Sequence, residues 1–472
     1  MIDKATKLLR KAGVDKAIAY TVSGRMVQAA GSVGILFSIA HYLTKVEQGY
    51  YYTFSSIMAI QIFFELGFNT VITQFAAHEM ANLHWVNNEE IAGNPVSLSR
   101  LAHLLRLCFR SFTLMALALL AVLITTGFVF FLYYHNKNGV NWQGPWLVLS
   151  LTTAGFFLVD PLMSFLQGLN KVKDLARYRV YMSVCYIVSV ILFLVAGFKL
   201  YAPALSSMLS LVCLLGCLFF SPYKSTILKL WKCAGEWKIS YRQEIFPFQW
   251  KIAVSWISGY FIYTIFNPVL FATEGAVVAG QMGMTLAGFA GVASLAGSWI
   301  YTKIPAFSAL IAKRQFAELD ERFNRTLFQS LSICLAGLIT YFVLVHVMQA
   351  ENFSLGKRFL PLLPFLLLVF IAFINQVNYS LSTYLRCHNK EPLLVQSAVI
   401  AALSCISTFI FGRMYGVMGI TIGYLTVVTI SLPWTIFIFN KRKKEWHAGE
   451  ELDYGLLDHV PDLPADSMSI IK

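Results

Sequence analysis

Twelve stretches of this chain are apolar for long enough to cross about 30 Å of hydrocarbon as helix, which takes roughly 20 residues each. They begin near Ala17, Tyr50, Ser111, Trp146, Val180, Tyr201, Phe246, Ala276, Thr326, Phe359, Leu393 and Val417, and most are closed by a cluster of charge. A backbone surrounded by lipid must satisfy its hydrogen bonds within its own segment, so the pattern dictates an all-α polytopic membrane protein. With 57% hydrophobic and 13% charged residues, the chain has too little polar surface to fold as a water-soluble domain. The first 16 residues, MIDKATKLLRKAGVDK, are cationic and amphipathic; they read as a segment lying on the membrane surface, not as a cleavable leader.

A net charge of +13 raises the question of a nucleic-acid partner. Sorting the 37 Lys and Arg by loop answers it: 29 fall on the side that holds both termini, against six on the other side, namely Lys45, Lys137, Lys199, Lys357, Arg358 and Arg413. That asymmetry is the positive-inside pattern of a twelve-span protein in the cell's inner (cytoplasmic) membrane with both ends cytoplasmic. The basic balance thus reports topology and implies membrane lipids, and no nucleic acid, as partners. The eight cysteines lie in spans or on the cytoplasmic side without metal-ligand spacing, so neither a disulfide framework, a metal nor a cofactor is expected.

The two remaining cations, Arg25 and Lys251, lie inside spans and are 226 residues apart; the same offset relates Gly49 of Glu47-Gln48-Gly49 to Gly275 of Glu274-Gly275. FLQGLNK (165 to 171) and YLRCHNK (384 to 390) match at an offset of 219. The chain therefore reads as a six-helix unit used twice, residues 1–230 and 231–440, followed by a cytoplasmic tail, 441–472. An even number of spans per half makes these parallel repeats, two bundles around a central cavity.

Helical positions three, four and seven apart share a face. The first span carries Arg25, Gln28 and Ser32, and the seventh carries Lys251, Ser255 and Ser258, each a cation heading a polar stripe. The second span has Gln61, Glu65 and Asn69, the tenth has Asn375 and Asn378, and Asp160 precedes Pro161 within the fourth. Polar side chains at such depth face protein or water and mark a substrate or ion path. Structural accounts compete: an Arg25 to Glu65 ion pair, a snorkelling Lys251, an Asp160 carboxyl bonded at its proline kink. Trp256, Tyr260 and Tyr263 line one face of the seventh span, and Tyr50, Tyr51 and Tyr52 are expected in an interfacial aromatic belt.

The E-x-G hairpin, ELGFNTVITQFAAHEM (65 to 80), W-x5-P at 299 to 305 and YLRCHNKEPL (384 to 393), on twelve spans in two halves, together resemble the bacterial polysaccharide-transport proteins, among them the O-antigen flippases. These belong to the multidrug, oligosaccharidyl-lipid and polysaccharide exporter superfamily, and the likeness covers residues 1 to 440. The resemblance implies two bundles around a cationic cavity, moving a polyprenyl-pyrophosphate-linked oligosaccharide by alternating access, with possible glycan-assembly proteins as partners. It maps Arg25 and Lys251 to the pyrophosphate and acidic sugars; the polar residues read from the helical stripes are the further cavity candidates, and Glu65 and Asp160 the ion-coupling candidates. No further arginine is buried in the seventh or eighth span, so the implied cavity is only modestly cationic.

Two other classes compete. A multidrug or cation antiporter of the same superfamily would use cavity carboxylates, which Glu65 and Asp160 supply. A membrane glycan polymerase or ligase needs a sizeable outer loop, and the longest here, around 135 to 144 and 349 to 358, are about ten residues. The chain is accordingly expected to be a transporter and not an enzyme.

Overall fold

The computed structural model describes residues 31–87, 90–134, 139–233, 237, 239–388 and 390–448. Among them nine helices are long and apolar enough to cross a membrane, ten when a bent pair is counted as one span. One of the nine, Leu394–His447, is two spans run together at Gly416 (φ 57°, ψ −137°), a conformation that glycine alone adopts readily. With the end of the first span, Gly31–Tyr42, this is the expected twelve-span, two-bundle architecture. The end of the molecule carrying His447 is its proximal end, and the end carrying Lys45 and Ala276 its distal end.

The second span starts with a capping box: Glu47 N donates to Thr44 Oγ1 at 3.1 Å and Thr44 N donates to Glu47 Oε2 at 2.8 Å. It does not continue as one helix. Lys45–Met58, a 3-10 turn Ala59–Gln61 and a short helix Ile62–Glu65 end at Leu66, and Phe68–Met80 departs at 44°. Leu66 and Gly67 are both left-handed, φ 49° and 67°. Gly67 is required there twice over, by its positive φ and because a Cβ would overlap Ile252 of the seventh span.

The two halves meet along the second, seventh and eighth spans. At the distal end Gly49 lies against the Ala276 backbone so closely that a Cβ would overlap the Ala276 carbonyl, while a Cβ at Gly280 would stand 2.8 Å from Gly49 N. Gln48 Nε2 donates to Gly280 O (2.9 Å) and Arg358 O (3.2 Å), and the Arg358 guanidinium donates to Gln48 Oε1 (3.1 Å) and Leu43 O (2.6 Å). Gly49, singled out by its offset of 226 from Gly275, therefore sits where the repeats touch, against the residue that follows Gly275. This contact also overturns the belt expected of Tyr50 and Tyr52, while Tyr51 stays half-buried. Tyr50 is 0% exposed, packed on Phe54, Phe131 and Phe271, and Tyr52 is buried on Gly283, because the distal end of the second span enters the seam between halves and not the lipid interface.

At the proximal end, Arg100 opening the third span pairs with Glu79 (2.6 Å) and with Glu244 (2.6 Å), which leads into the seventh span. A two-stranded hairpin, Leu83–Asn87 with Glu90–Gly93, fills the loop after the second span, Leu83 opposite Gly93 and Trp85 opposite Ile91. It is fixed by Trp85 Nε1 donating to Leu169 O (3.2 Å) and by Lys171 Nζ, 3.8 Å above the Trp85 ring.

Candidate substrate and coupling site

The seventh span runs Phe246–Tyr263, breaks at Thr264, and resumes as Phe266–Thr273. Lys251, Ser255 and Ser258 begin as one stripe but have different fates. Lys251 is exposed and makes no hydrogen bond or ion pair among the described residues. Ser255, one turn on, receives a hydrogen bond from Arg386 Nη2 of the tenth span at 3.4 Å. Ser258 is buried and donates back to Val254 O of its own helix at 2.7 Å. Trp256 and Tyr263 are exposed, whereas Tyr260 is buried against Phe63 of the second span, ring centres 5.1 Å apart.

On the tenth span Asn375 Nδ2 donates to Tyr424 Oη (3.1 Å), and Asn378 Oδ1 is buried without a partner among the described residues. Gln376, which belongs to neither of the polar positions read in the sequence, is the structural polar residue there: it donates to Ser330 Oγ (2.9 Å), which in turn donates to Ala296 O (2.8 Å). That bond ties the eighth, ninth and tenth spans together.

In the first half the polar residues gather around the break in the second span. Gln61 and Asp160 line a cavity of ≈ 410 Å³ with Ser55, Met58, Ala59, Thr153 and Phe156. The Asp160 carboxylate makes no hydrogen bond or ion pair among the described residues and lies within electrostatic reach of Glu65 and Arg179. Glu65, expected as a partner for Arg25, accepts from Asn69 Nδ2 at 2.9 Å, and Asn69 Oδ1 is left buried without a partner among the described residues. A larger cavity, ≈ 490 Å³, opens beside the distal end of the third span between Thr125 and Tyr134 and has no carboxylate in its wall. Arg25 and Gln28 lie outside the described residues; Ser32 is exposed on Gly31–Tyr42.

The candidate residues thus fall into two groups, a cationic one on the seventh and tenth spans and an acidic one beside a helix break in the second. No protein-family model and no curated protein sequence matches the chain. Solved structures do. An inward-facing multidrug resistance MATE family transporter of the MOP superfamily superposes with a TM-score of 0.55 at 12% identity, over 90% of this chain and 100% of that one. The MATE multidrug transporter DinF-BH gives 0.56 at 12%, over 93% and 96%. The lipid II flippase MurJ in an inward closed conformation gives 0.50 at 14%, over 91% and 90%. The chain has the fold of the MOP-superfamily transporters. Within that fold the break in the second span and the kinked seventh span touch across the seam, Gly67 against Ile252.

Proposed function

We propose that this chain carries a lipid-linked, diphosphate-bearing oligosaccharide across the cytoplasmic membrane by alternating access, the proximal end facing the cytoplasm. The observation that carries the reading is Lys251: an intramembrane cation with no counter-ion among the described residues, on a helix at the seam of a transporter fold. A diphosphate cannot cross hydrocarbon bare; a wet groove with fixed positive charge gives it Coulomb attraction at intermediate dielectric while its lipid tail stays in the bilayer. MurJ, which shares the fold, is itself a lipid II flippase. In this reading residues 1–230 and 231–440 are the rocking halves, Arg25 and Lys251 attract the diphosphate, Gln28, Ser32, Ser255 and Asn375 offer hydrogen bonds to the head, and Glu65 and Asp160 couple an ion. Surface polysaccharide or O-antigen units are the substrate class, with glycan-assembly proteins as neighbours. The test is a cell that depends on this protein for surface glycan. The double variant Arg25→Ala, Lys251→Ala loses export; undiminished export ends the reading.

A second reading, a multidrug or cation antiporter, has its own observation in Asp160, a carboxylate in the wall of the cavity beside Gln61, with Glu65 in electrostatic reach and no ion pair on either among the described residues. Drug resistance on overexpression, abolished by Asp160→Asn, selects it.

A further inference from the structure

Arg386 closes the tenth span, where basic residues ordinarily turn back toward the headgroups. It does not do so here. Its Nη2 reaches Ser255 Oγ at 3.4 Å, and Ser255 lies nine residues into the seventh span, about 13 Å along the helix from Phe246. The same guanidinium is within electrostatic reach of Tyr263, two turns deeper still. Its Nε is held from behind by Glu391, at 3.1 and 3.3 Å from the two carboxylate oxygens. Nη1 has no partner among the described residues. Lys251 precedes Ser255 by four residues, which puts the two Cβ atoms roughly 6 Å apart on one face. Ser255 thus takes a hydrogen bond from one cation and stands one helical turn from a second on its own helix, and among the described residues Glu391 is the only acidic side chain bonded to either cation. The Arg386 side chain is 49% exposed, so its fork is open to a ligand.

We infer that Lys251, Ser255 and Arg386 form a seat for a diphosphate ester, with Glu391 as an internal occupant that the incoming phosphate displaces from Arg386. This rests on the proposed function and deepens it: the second half contributes a bidentate guanidinium in addition to an ammonium. A guanidinium fork matches two phosphate oxygens, which an amine cannot do. Glu391 keeps the fork extended while the seat is empty and makes binding reversible, since ligand must compete with a tethered carboxylate. On release Glu391 returns, which opposes retention of a charged head.

The experiment measures binding of farnesyl pyrophosphate to the purified full-length protein in phosphatidylcholine nanodiscs, over a range of salt. Arg386→Ala weakens binding about tenfold and flattens the salt dependence, Arg386→Lys recovers only part, and Glu391→Gln strengthens binding severalfold. Glu391→Gln keeps the inference falsifiable if Arg386→Ala does not yield folded protein. Binding unchanged in Arg386→Lys, or unimproved in Glu391→Gln, while Lys251→Ala still weakens it, overturns the seat and leaves the proposed function standing. Failure of the wild type to bind farnesyl pyrophosphate at all sinks both. Substituting phosphatidylglycerol for part of the phosphatidylcholine distinguishes the sources of phosphate; if it displaces the probe mole for mole, the seat belongs to bulk lipid headgroups and the inference falls.

Discussion

Gly49 of the first half and Ala276 of the second touch backbone to backbone, leaving no space for a Cβ on the glycine. A side chain there must drive the distal ends of the second and eighth spans apart. Gly49→Val is expected to hold the distal seam open and to reduce transport by more than tenfold. Spin labels on the two distal helix ends, read by electron-electron resonance, would show a longer distance than in wild type; an unchanged distance contradicts the role given to this contact.

Arg358 spans the same seam through Gln48 Oε1 and Leu43 O. Removing a partner of part-buried, charge-assisted hydrogen bonds costs on the order of 2 kcal/mol, enough to change the ratio of closed to open seam about thirtyfold. In an Arg358→Ala background, a cysteine replacing the buried Tyr52 should react with a membrane-impermeant maleimide at least severalfold faster than in the wild-type background. Equal rates would mean that Arg358 does not hold the seam.

Asp160 and Glu65 are the proposed ion-coupling carboxylates, and are remote in sequence from the Lys251 stripe. Asp160→Asn is therefore expected to abolish ion-driven accumulation in proteoliposomes and to leave farnesyl pyrophosphate binding within about twofold of wild type. Loss of both together would indicate one site and not two.

His388, just past the tenth span, is buried, stacked on Trp446 with ring centres 4.3 Å apart, its Nδ1 3.2 Å from Tyr384 O and its Nε2 without a partner among the described residues. Burial pushes its pKa down to about 4, helped by His447 and Lys390 and opposed by the Tyr384 carbonyl and Asp320. The unfolded chain takes up this proton near pH 6.5 and the folded chain does not until about 4, so the stabilisation is complete above 6.5 and declines on acidification through that window. The ceiling is about 3 kcal/mol. Melting temperature in detergent should fall between pH 7 and pH 5, and His388→Phe, which keeps the stack, should flatten that fall; an equal slope in both proteins refutes it.

The spans are legible in the sequence because lipid leaves a backbone one local solution, and long apolar runs ended by charge mark it. The starts at Tyr201, Phe246 and Ala276 coincide with observed helix starts. Gly49 and Gly275 are legible as a repeat, though not as a contact, since an offset says nothing about what packs on what. The hairpin after the second span is hidden because HWVNNEEIAG has no clean alternation, and its order comes from Trp85 and Lys171, far apart in the chain. Tyr50 departs from its expected place for a related reason: one residue at a helix end can face lipid or a partner helix, and only tertiary packing decides. Arg386 is concealed by the same sorting that reveals topology. Counted among loop cations, it gives no sign that its head turns inward to Ser255.

Gly416 has a further consequence. A hairpin made by one residue, with the Glu274 carboxylate lying where a Cβ would go and accepting from Val417 N at 3.2 Å, has no slack. The eleventh and twelfth spans are in effect a single folded lever, pinned at its tip to the start of the eighth. The seventh span, by contrast, is already broken at Thr264 and Ile265, so the second half sets one stiff helix pair beside one divided helix.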